Sequence, residues 1–391
     1  MKMDRIVVVG NGIAGLTACD SLRSAGFDGE LTVVGAEQHQ PYSRPALSKA
    51  LLHNGGVTAH ELPDPSHGAT EILGVSADGL DPEARIVRLA GGGELPYDGL
   101  VIASGSRAKR LAPGHDGGRP GEAPRELTLR TVEDALALRE RIAGRPSVVV
   151  VGGGALGMEV ASGCLQAGCD VTLVSDAPPL TRQLGGFLSE VFVAAATRSG
   201  LRLVSGTRAR IADSGLGPRV VLADGTELEA ELIVSAIGDE PSAGWLAGTG
   251  LLVGGELRVD SRGRVRRDIV AAGDVASIPI RQGTGRVPLW TSAIEQAKTA
   301  ALGLLLGDRA PALDLQPYFW TEAFGVSLKS VGFTPVEGIP GYRETGADEE
   351  SMLVRWENRD GTGTAAALNH RIPVPRLRRL ANTGPAVQMA V

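Results

Sequence analysis

Aromatic side chains are scarce in this 391-residue chain, only 4% Phe, Trp and Tyr, so each Trp stands out. Cysteine is scarcer. Cys19, Cys164 and Cys169 are too few, and odd in number, for a disulfide framework. That excludes the small stapled secreted class and fits a reducing, cytoplasmic setting. No apolar run reaches the roughly 18 residues that a membrane crossing needs, and Met1 leads into a β-branched run too soon for a signal peptide. The six His show no ligand spacing, so no metal is expected. Basic residues are not in excess either: 39 Lys and Arg against 45 Asp and Glu give −6, which argues against nucleic acid as a partner. Acid is missing altogether from Gly361 onward, so Arg371, Arg376, Arg378 and Arg379 make the tail locally basic. Arg262, Arg264, Arg266 and Arg267 form a second cluster. Such runs are ordinarily solvated faces, and the sharper reading is a docking patch for an acidic partner.

Glycine is what the chain has in abundance, 54 residues without collagen-like period. The glycines gather at strand–helix turns. Arg5 to Val9 is β-branched, Gly10-Asn11-Gly12-Ile13-Ala14-Gly15 follows, a helix should run to about Ala25, and Leu31 to Val34 reads as the next strand. The same grammar returns with apolar Ser147 to Val151, then Gly152-Gly153-Gly154-Ala155-Leu156-Gly157, a helix to about Gln166 and a strand from Val171 to Val174. Strand, glycine loop, helix and strand, twice, predict two Rossmann-like dinucleotide sites in an α/β protein. In each loop the first glycine makes the tight turn, the second lets backbone approach a pyrophosphate, and the third lets helix and strand pack closely. The helix N-terminus then offers free N–H groups to the phosphates.

A lone GxGxxG is weak evidence, but the context strengthens both. Glu37, about twenty residues on, is placed to accept a ribose hydroxyl at the first site, which includes Ile13 and Ala14. The second site has Ser175 where an acid is usual, with Asp176 next. An acid there favours NAD over NADP because it repels a 2′-phosphate, so NADH is the favoured donor.

Segments around Arg85–Leu89, Arg219–Leu222 and Leu257–Val259 alternate with Gly or Asp turns and read as antiparallel hairpins. Pro113 to Pro124 reads as a linker. The strands Leu232–Ile237 and Asp268–Ala271 must return to the two sheets, which sets the domain plan. A discontinuous first domain spans about 1–111 and 237–312, an inserted domain 112–236 and a small α+β domain 313–391.

Five further motifs make the reading specific. They are Pro41-Tyr42-Ser43-Arg44-Pro45-Ala46-Leu47-Ser48-Lys49, Ala103-Ser104-Gly105-Ser106, Leu129-Arg130-Thr131, Ala271-Ala272-Gly273-Asp274 and Tyr318-Phe319-Trp320-Thr321-Glu322. Together the chain resembles, over nearly its whole length, the oxygenase-coupled ferredoxin reductases, the family of putidaredoxin reductase and the biphenyl and toluene dioxygenase reductases, within the glutathione-reductase superfamily.

That resemblance implies FAD at the first site and NAD(P)H at the second. It implies that Asp274 binds the ribityl hydroxyls and that Arg44, Lys49 and Arg130 hold the flavin side. Ala14, Ala77 and Trp290 would contact FAD, and Gly238 is expected among the residues that bind the second dinucleotide. A bare Gly-Asp is ordinarily a turn, but Asp268 to Val275 embeds this one in a specific strand-end motif. The resemblance pairs Glu159 with Lys49 beside the flavin nitrogen that receives hydride, where a cation would stabilise the reduced ring. Otherwise these would be a surface Lys and a helix-start Glu favoured by the dipole. Trp320 would lie over the nicotinamide–flavin face. Cys164 and Cys169 have the spacing of a redox disulfide, but the family's position for that pair is occupied here by Ser43 to Lys49. Both read as packing residues, as does Cys19.

The chain departs from the family in three places: Ala36 with Glu37 after the second strand, Pro288 for a Glu before Trp290, and a short His60 to Leu73 segment. The implied activity is electron transfer from NAD(P)H through FAD to a 2Fe–2S ferredoxin, serving a P450 or Rieske oxygenase. Arg281, Arg286 and the basic tail would steer that acidic partner. Competing readings are a two-electron flavoenzyme reducing oxygen, a quinone or another small molecule, and a flavin-binding interaction protein like apoptosis-inducing factor.

Overall fold

The computed structural model describes residues 3–53, 60–63, 65–111, 126–213, 218–281, 283–346, 350–358 and 362–384. The 113–124 linker lies outside them. The elements that position the sites are, in chain order, β1 (Arg5–Val9), α1 (Ile13–Ser24), β2 (Glu30–Gly35), β3 (Thr70–Leu73) and β4 (Gly99–Ile102). There follow β5 (Glu126–Leu127), α2 (Val132–Ile142), β6 (Ser147–Val151), α3 (Ala155–Gln166), β7 (Asp170–Ser175), α4 (Thr181–Leu184), β8 (Arg202–Ser205) and β9 (Leu232–Ser235). The last third supplies β10 (Ile269–Ala271), α5 (Trp290–Leu306), β11 (Tyr318–Ala323), β12 (Val326–Val331), β13 (Tyr342–Thr345), β14 (Met352–Glu357), β15 (Gly363–Leu368) and α6 (Val374–Thr383).

The chain divides into two compact units. The first takes Met1–Ser43, Thr58–Arg107 and Glu240–Pro317, and the second Arg44–Val57, Ala108–Asp239 and Tyr318–Val391. In the first, a sheet of order β10-β4-β1-β2-β3 is parallel throughout. Val7 and Val9 point to one core and Ile6 and Val8 to the other, which is why the strand is a continuous apolar run rather than an alternating one. On one face α1 and α5 pack through small residues, Ala14, Ala18 and Cys19 meeting Ala293, Ala297 and Ala300 in one buried cluster. The other face is covered by an antiparallel sheet of Ala77–Asp81, Ile86–Leu89 and Glu94–Pro96, which contributes Leu80, Val87 and Leu89.

The second unit repeats the plan. Its parallel sheet has order β8-β7-β6-β9-β5, with a three-stranded antiparallel cover of Ala209–Asp213, Pro218–Leu222 and Glu227–Glu229. Helix α3 lines the sheet. Helix α2 starts at a capping box in which Thr131 accepts from the Asp134 N–H and Asp134 reaches back to the Thr131 N–H. An antiparallel sheet of order β11-β12-β15-β14-β13 follows. Leu377, Leu380 and Ala381 of α6 bury against its Val331, Leu353 and Ala367.

One expectation fails. Leu257–Arg258 pairs parallel with Ala276–Ile280 and is not a hairpin strand. The chain inserts β10 between the two segments, so the connection is a crossover, and parallel pairing requires one. Alternation identified the strand but carried no information about its partner.

Candidate functional sites

Within the first unit, Gly10 leaves β1 at φ +116°, and a Cβ on it would lie 2.1 Å from the Ala103 carbonyl oxygen. A Cβ on Gly15 would lie 1.8 Å from Gly10 O. Both glycines are demanded by the fold. Gly12 differs: a Cβ there would meet nothing within 4 Å. It N-caps α1 without a side-chain bond, so the helix presents N–H groups with no intrahelical partner. Beside it both amide atoms of Asn11 are buried and unpartnered. Such atoms want a ligand. Ile13 and Ala14 form the first turn of α1.

Glu37 accepts a hydrogen bond from the buried Tyr42 hydroxyl at 2.5 Å. Ala77 begins the covering sheet and packs against its core. Asp274 follows β10, and Ser106 Oγ donates to its Oδ2 at 3.3 Å while Arg286 Nε donates to its carbonyl at 2.6 Å. Arg286, expected as a steering cation, is thus bonded to the backbone of Asp274. Gly273 N–H donates to Gln296 Oε1 at 3.0 Å. Gln296 Nε2 and Ser292 Oγ, in the helix that Trp290 begins, are buried and unpartnered. Neither was singled out from sequence; polar residues on the buried face of an Ala-rich helix were the available signal. These open and unsatisfied positions fit a dinucleotide.

The second unit copies the first loop. A Cβ on Gly152 (φ +120°) would lie 2.2 Å from Ala236 O, and one on Gly157 1.9 Å from Gly152 O. Gly154 again faces open space, its nearest neighbour being Gln183 Oε1 at 3.9 Å. Gly152 N–H donates to Val174 O at 2.8 Å, as Gly10 N–H does to Val34 O at 2.7 Å. Gly238, at φ +104°, also has nothing within 4 Å of a built Cβ. Ser175 ends β7 and its hydroxyl donates to Ala177 O at 2.6 Å. Asp176 is held by Arg182. Ala155 N–H, at the start of α3, donates to Gln183 Oε1 at 3.1 Å, a contact sequence reading did not foresee.

Glu159 lies one turn into α3 and is 7% exposed. Lys49 Nζ is 2.8 Å from its Oε2, Ser48 Oγ donates to the same oxygen, and Thr321 Oγ1 donates to Oε1 at 2.6 Å. The pair implied by resemblance therefore exists as a buried carboxylate with three donors. The dipole reading of Glu159 does not account for that burial. Ser48 and Thr321 were passed over in the sequence, although each adjoins a residue that was singled out. Trp320 stacks on Tyr318, with centroids 5.6 Å apart and planes at 24°. It points away from the face that Thr321 presents, as neighbours on a strand do. Arg44 Nη1 donates to Arg130 O at 2.7 Å, which ties those two residues together.

All three cysteines are free and buried. Burial pushes the Cys19 and Cys164 thiols up to about 12 and raises Cys169 as well, so none is a ready thiolate. Among the described residues no cluster of His, Cys, Asp and Glu could hold a metal ion. No helix there is long and apolar enough to cross a membrane.

Two glycine-loop sheets, each with an open middle glycine, and a buried Glu paired with a half-buried Lys define a pyridine-nucleotide-linked oxidoreductase. The family model for pyridine nucleotide-disulphide oxidoreductases matches residues 4–297, and the chain belongs to that family. It is 35% identical to the anthranilate 1,2-dioxygenase system ferredoxin–NAD(+) reductase component of Burkholderia cepacia, over 87% of this chain and 86% of that one. It is 33% identical to the p-cumate 2,3-dioxygenase system ferredoxin–NAD(+) reductase component of Pseudomonas putida, over 84% and 81%. A crystal structure of the covalent putidaredoxin reductase–putidaredoxin complex superposes with TM-score 0.85 at 26% identity, covering 97% and 93%.

Proposed function

We propose that this protein is the FAD-dependent reductase of an oxygenase system, passing electrons from NADH to a 2Fe–2S ferredoxin that serves a P450 or a Rieske enzyme. The observation that carries the reading is the duplicated loop in which only the middle glycines, Gly12 and Gly154, face open space. Two dinucleotides on one chain, with three buried free thiols and so no redox disulfide, support an outlet to an external acceptor, which we take to be a protein.

In this reading Gly10, Gly12, Ile13, Ala14, Gly15, Glu37, Ala77, Asp274 and Trp290 hold FAD, and Arg44, Lys49 and Arg130 hold its flavin side. Gly152, Gly154, Gly157, Ser175, Asp176 and Gly238 hold the nicotinamide dinucleotide. FAD, when bound, accepts a hydride and releases its two electrons singly. Lys49 supplies positive charge at that centre, Glu159 fixes Lys49, and Trp320 covers the reacting face. We treat 1–111 with 237–312, 112–236 and 313–391 as three domains, a division supported by the three principal sheets. An enzyme that consumes NADH works where that donor is held, so we place it in the cytoplasm.

The test is NADH-driven cytochrome c reduction with and without a 2Fe–2S ferredoxin. Ferredoxin should raise the rate at least tenfold. Turnover on oxygen or a quinone that exceeds the ferredoxin-dependent rate at saturating NADH would assign the protein to the small-acceptor class instead.

A further inference from the structure

Coenzyme choice in a Rossmann unit is decided at the end of the second strand. An acid there binds the ribose 2′-hydroxyl of NAD and repels the 2′-phosphate of NADP, whereas a nearby Arg accommodates the phosphate. The residue at that place is Ser175. It lies against the glycine loop, since a Cβ built on Gly153 would come within 2.8 Å of its Cβ. It carries no charge, and its hydroxyl is turned to Ala177 O.

The next residue, Asp176, is the acid expected to exclude NADPH. Arg182 Nη1 straddles its carboxylate at 2.9 and 2.8 Å, so the pair is neutral. Arg182 is brought there by α4, which is pinned to the loop on both sides. Leu180 N–H donates to Gly153 O at 2.7 Å, and Gln183 Oε1 accepts from Ala155 N–H at 3.1 Å. One nitrogen of the guanidinium serves both carboxylate oxygens, and among the described residues no acceptor is paired with its Nε or Nη2. The side chain of Arg182 is 71% exposed and that of Asp176 41%. An exposed pair of this kind holds its partners weakly, and the planar fork of Arg suits a phosphate.

We infer that the second site takes NADPH as well as NADH, with Arg182 holding the 2′-phosphate. The inference rests on the reading of Gly152–Gly157 as the pyridine-nucleotide site. Asp176 then sets the balance between the two coenzymes by the share of Arg182 it retains.

Titration calorimetry on the FAD-loaded enzyme, with NAD+ and NADP+ as probes, tests this without turnover. Wild type should bind NADP+ within about tenfold of NAD+. Arg182→Ala should raise the ratio of the NADP+ to the NAD+ dissociation constant by on the order of 10- to 100-fold, the loss of a charge-assisted contact. Asp176→Asn should lower that ratio several-fold. Binding of NAD+ with NADP+ more than tenfold weaker overturns the proposal and leaves the site intact, as does an Arg182→Ala that leaves the ratio unmoved. Failure to bind either probe instead removes the dinucleotide reading itself.

Discussion

A carboxylate as buried as Glu159, 7% exposed, is costly unless its oxygens find donors. Lys49 and Ser48, neighbours in one stretch of the second unit, and Thr321 from another provide them. An ammonium fixed so firmly is better placed to act on a neighbouring charge than a mobile surface Lys, because it needs no reorganisation when charge develops. If Lys49 stabilises the reduced flavin, Lys49→Met should slow hydride transfer on the order of 10²- to 10³-fold while FAD stays bound. The two-electron potential should become more negative. Glu159→Gln should do less, and the double variant should be less than additive, since the two act as a unit. Anaerobic stopped-flow reduction reads the rate directly. A Lys49→Met enzyme that reduces at the wild-type rate with an unchanged potential would show that Lys49 acts away from the reactive edge.

The glycine loops separate what the fold needs from what a ligand needs. Gly10 and Gly15 face backbone oxygens at 2.1 and 1.8 Å from a built Cβ, so alanine at either should damage the first parallel sheet and lower the yield of folded protein. Gly12→Ala meets nothing within 4 Å and should fold normally, yet its methyl group occupies the ground a pyrophosphate would approach. Purified Gly12→Ala should therefore lose yellow colour with an unchanged circular dichroism spectrum, and Gly154→Ala should keep FAD but bind NAD(H) poorly. Retention of both ligands at wild-type affinity would contradict the loop assignments. These elements were legible in the sequence because a buried parallel strand, a glycine turn and a helix are local and leave a contiguous pattern. Ser147–Val151 and the end of α3 at Gln166 emerged at the residues expected. What joins distant segments was not legible. The parallel pairing of Leu257–Arg258, the Ser48 and Thr321 bonds to Glu159 and the cap of Gln183 on Ala155 all depend on contacts between residues far apart in sequence.

For the molecule as a whole, the net charge of −6 works against an acidic partner. Productive encounter then requires a local positive surface, since charges beyond about a Debye length, roughly 8 Å at physiological salt, are screened. Helix α6 offers one. Leu377, Leu380 and Ala381 turn inward, and Arg376, Arg378 and Arg379 are left exposed, in a stretch from Gly361 onward that contains no acid. Steering of this kind acts on association more than on the chemical step. Reversing Arg376 and Arg379 to Glu should raise the ferredoxin KM on the order of tenfold at low ionic strength and leave kcat close to wild type. The buried face of α6 is untouched, so stability should hold. The difference should shrink as salt approaches about 0.5 M, where screening removes the advantage of the native patch. Steady-state reduction of ferredoxin across a salt series measures this. A KM that ignores both the reversal and the salt would move the docking surface off α6; Arg264 and Arg266, paired with Asp260, Asp308, Glu83 and Asp268, offer no equivalent free patch.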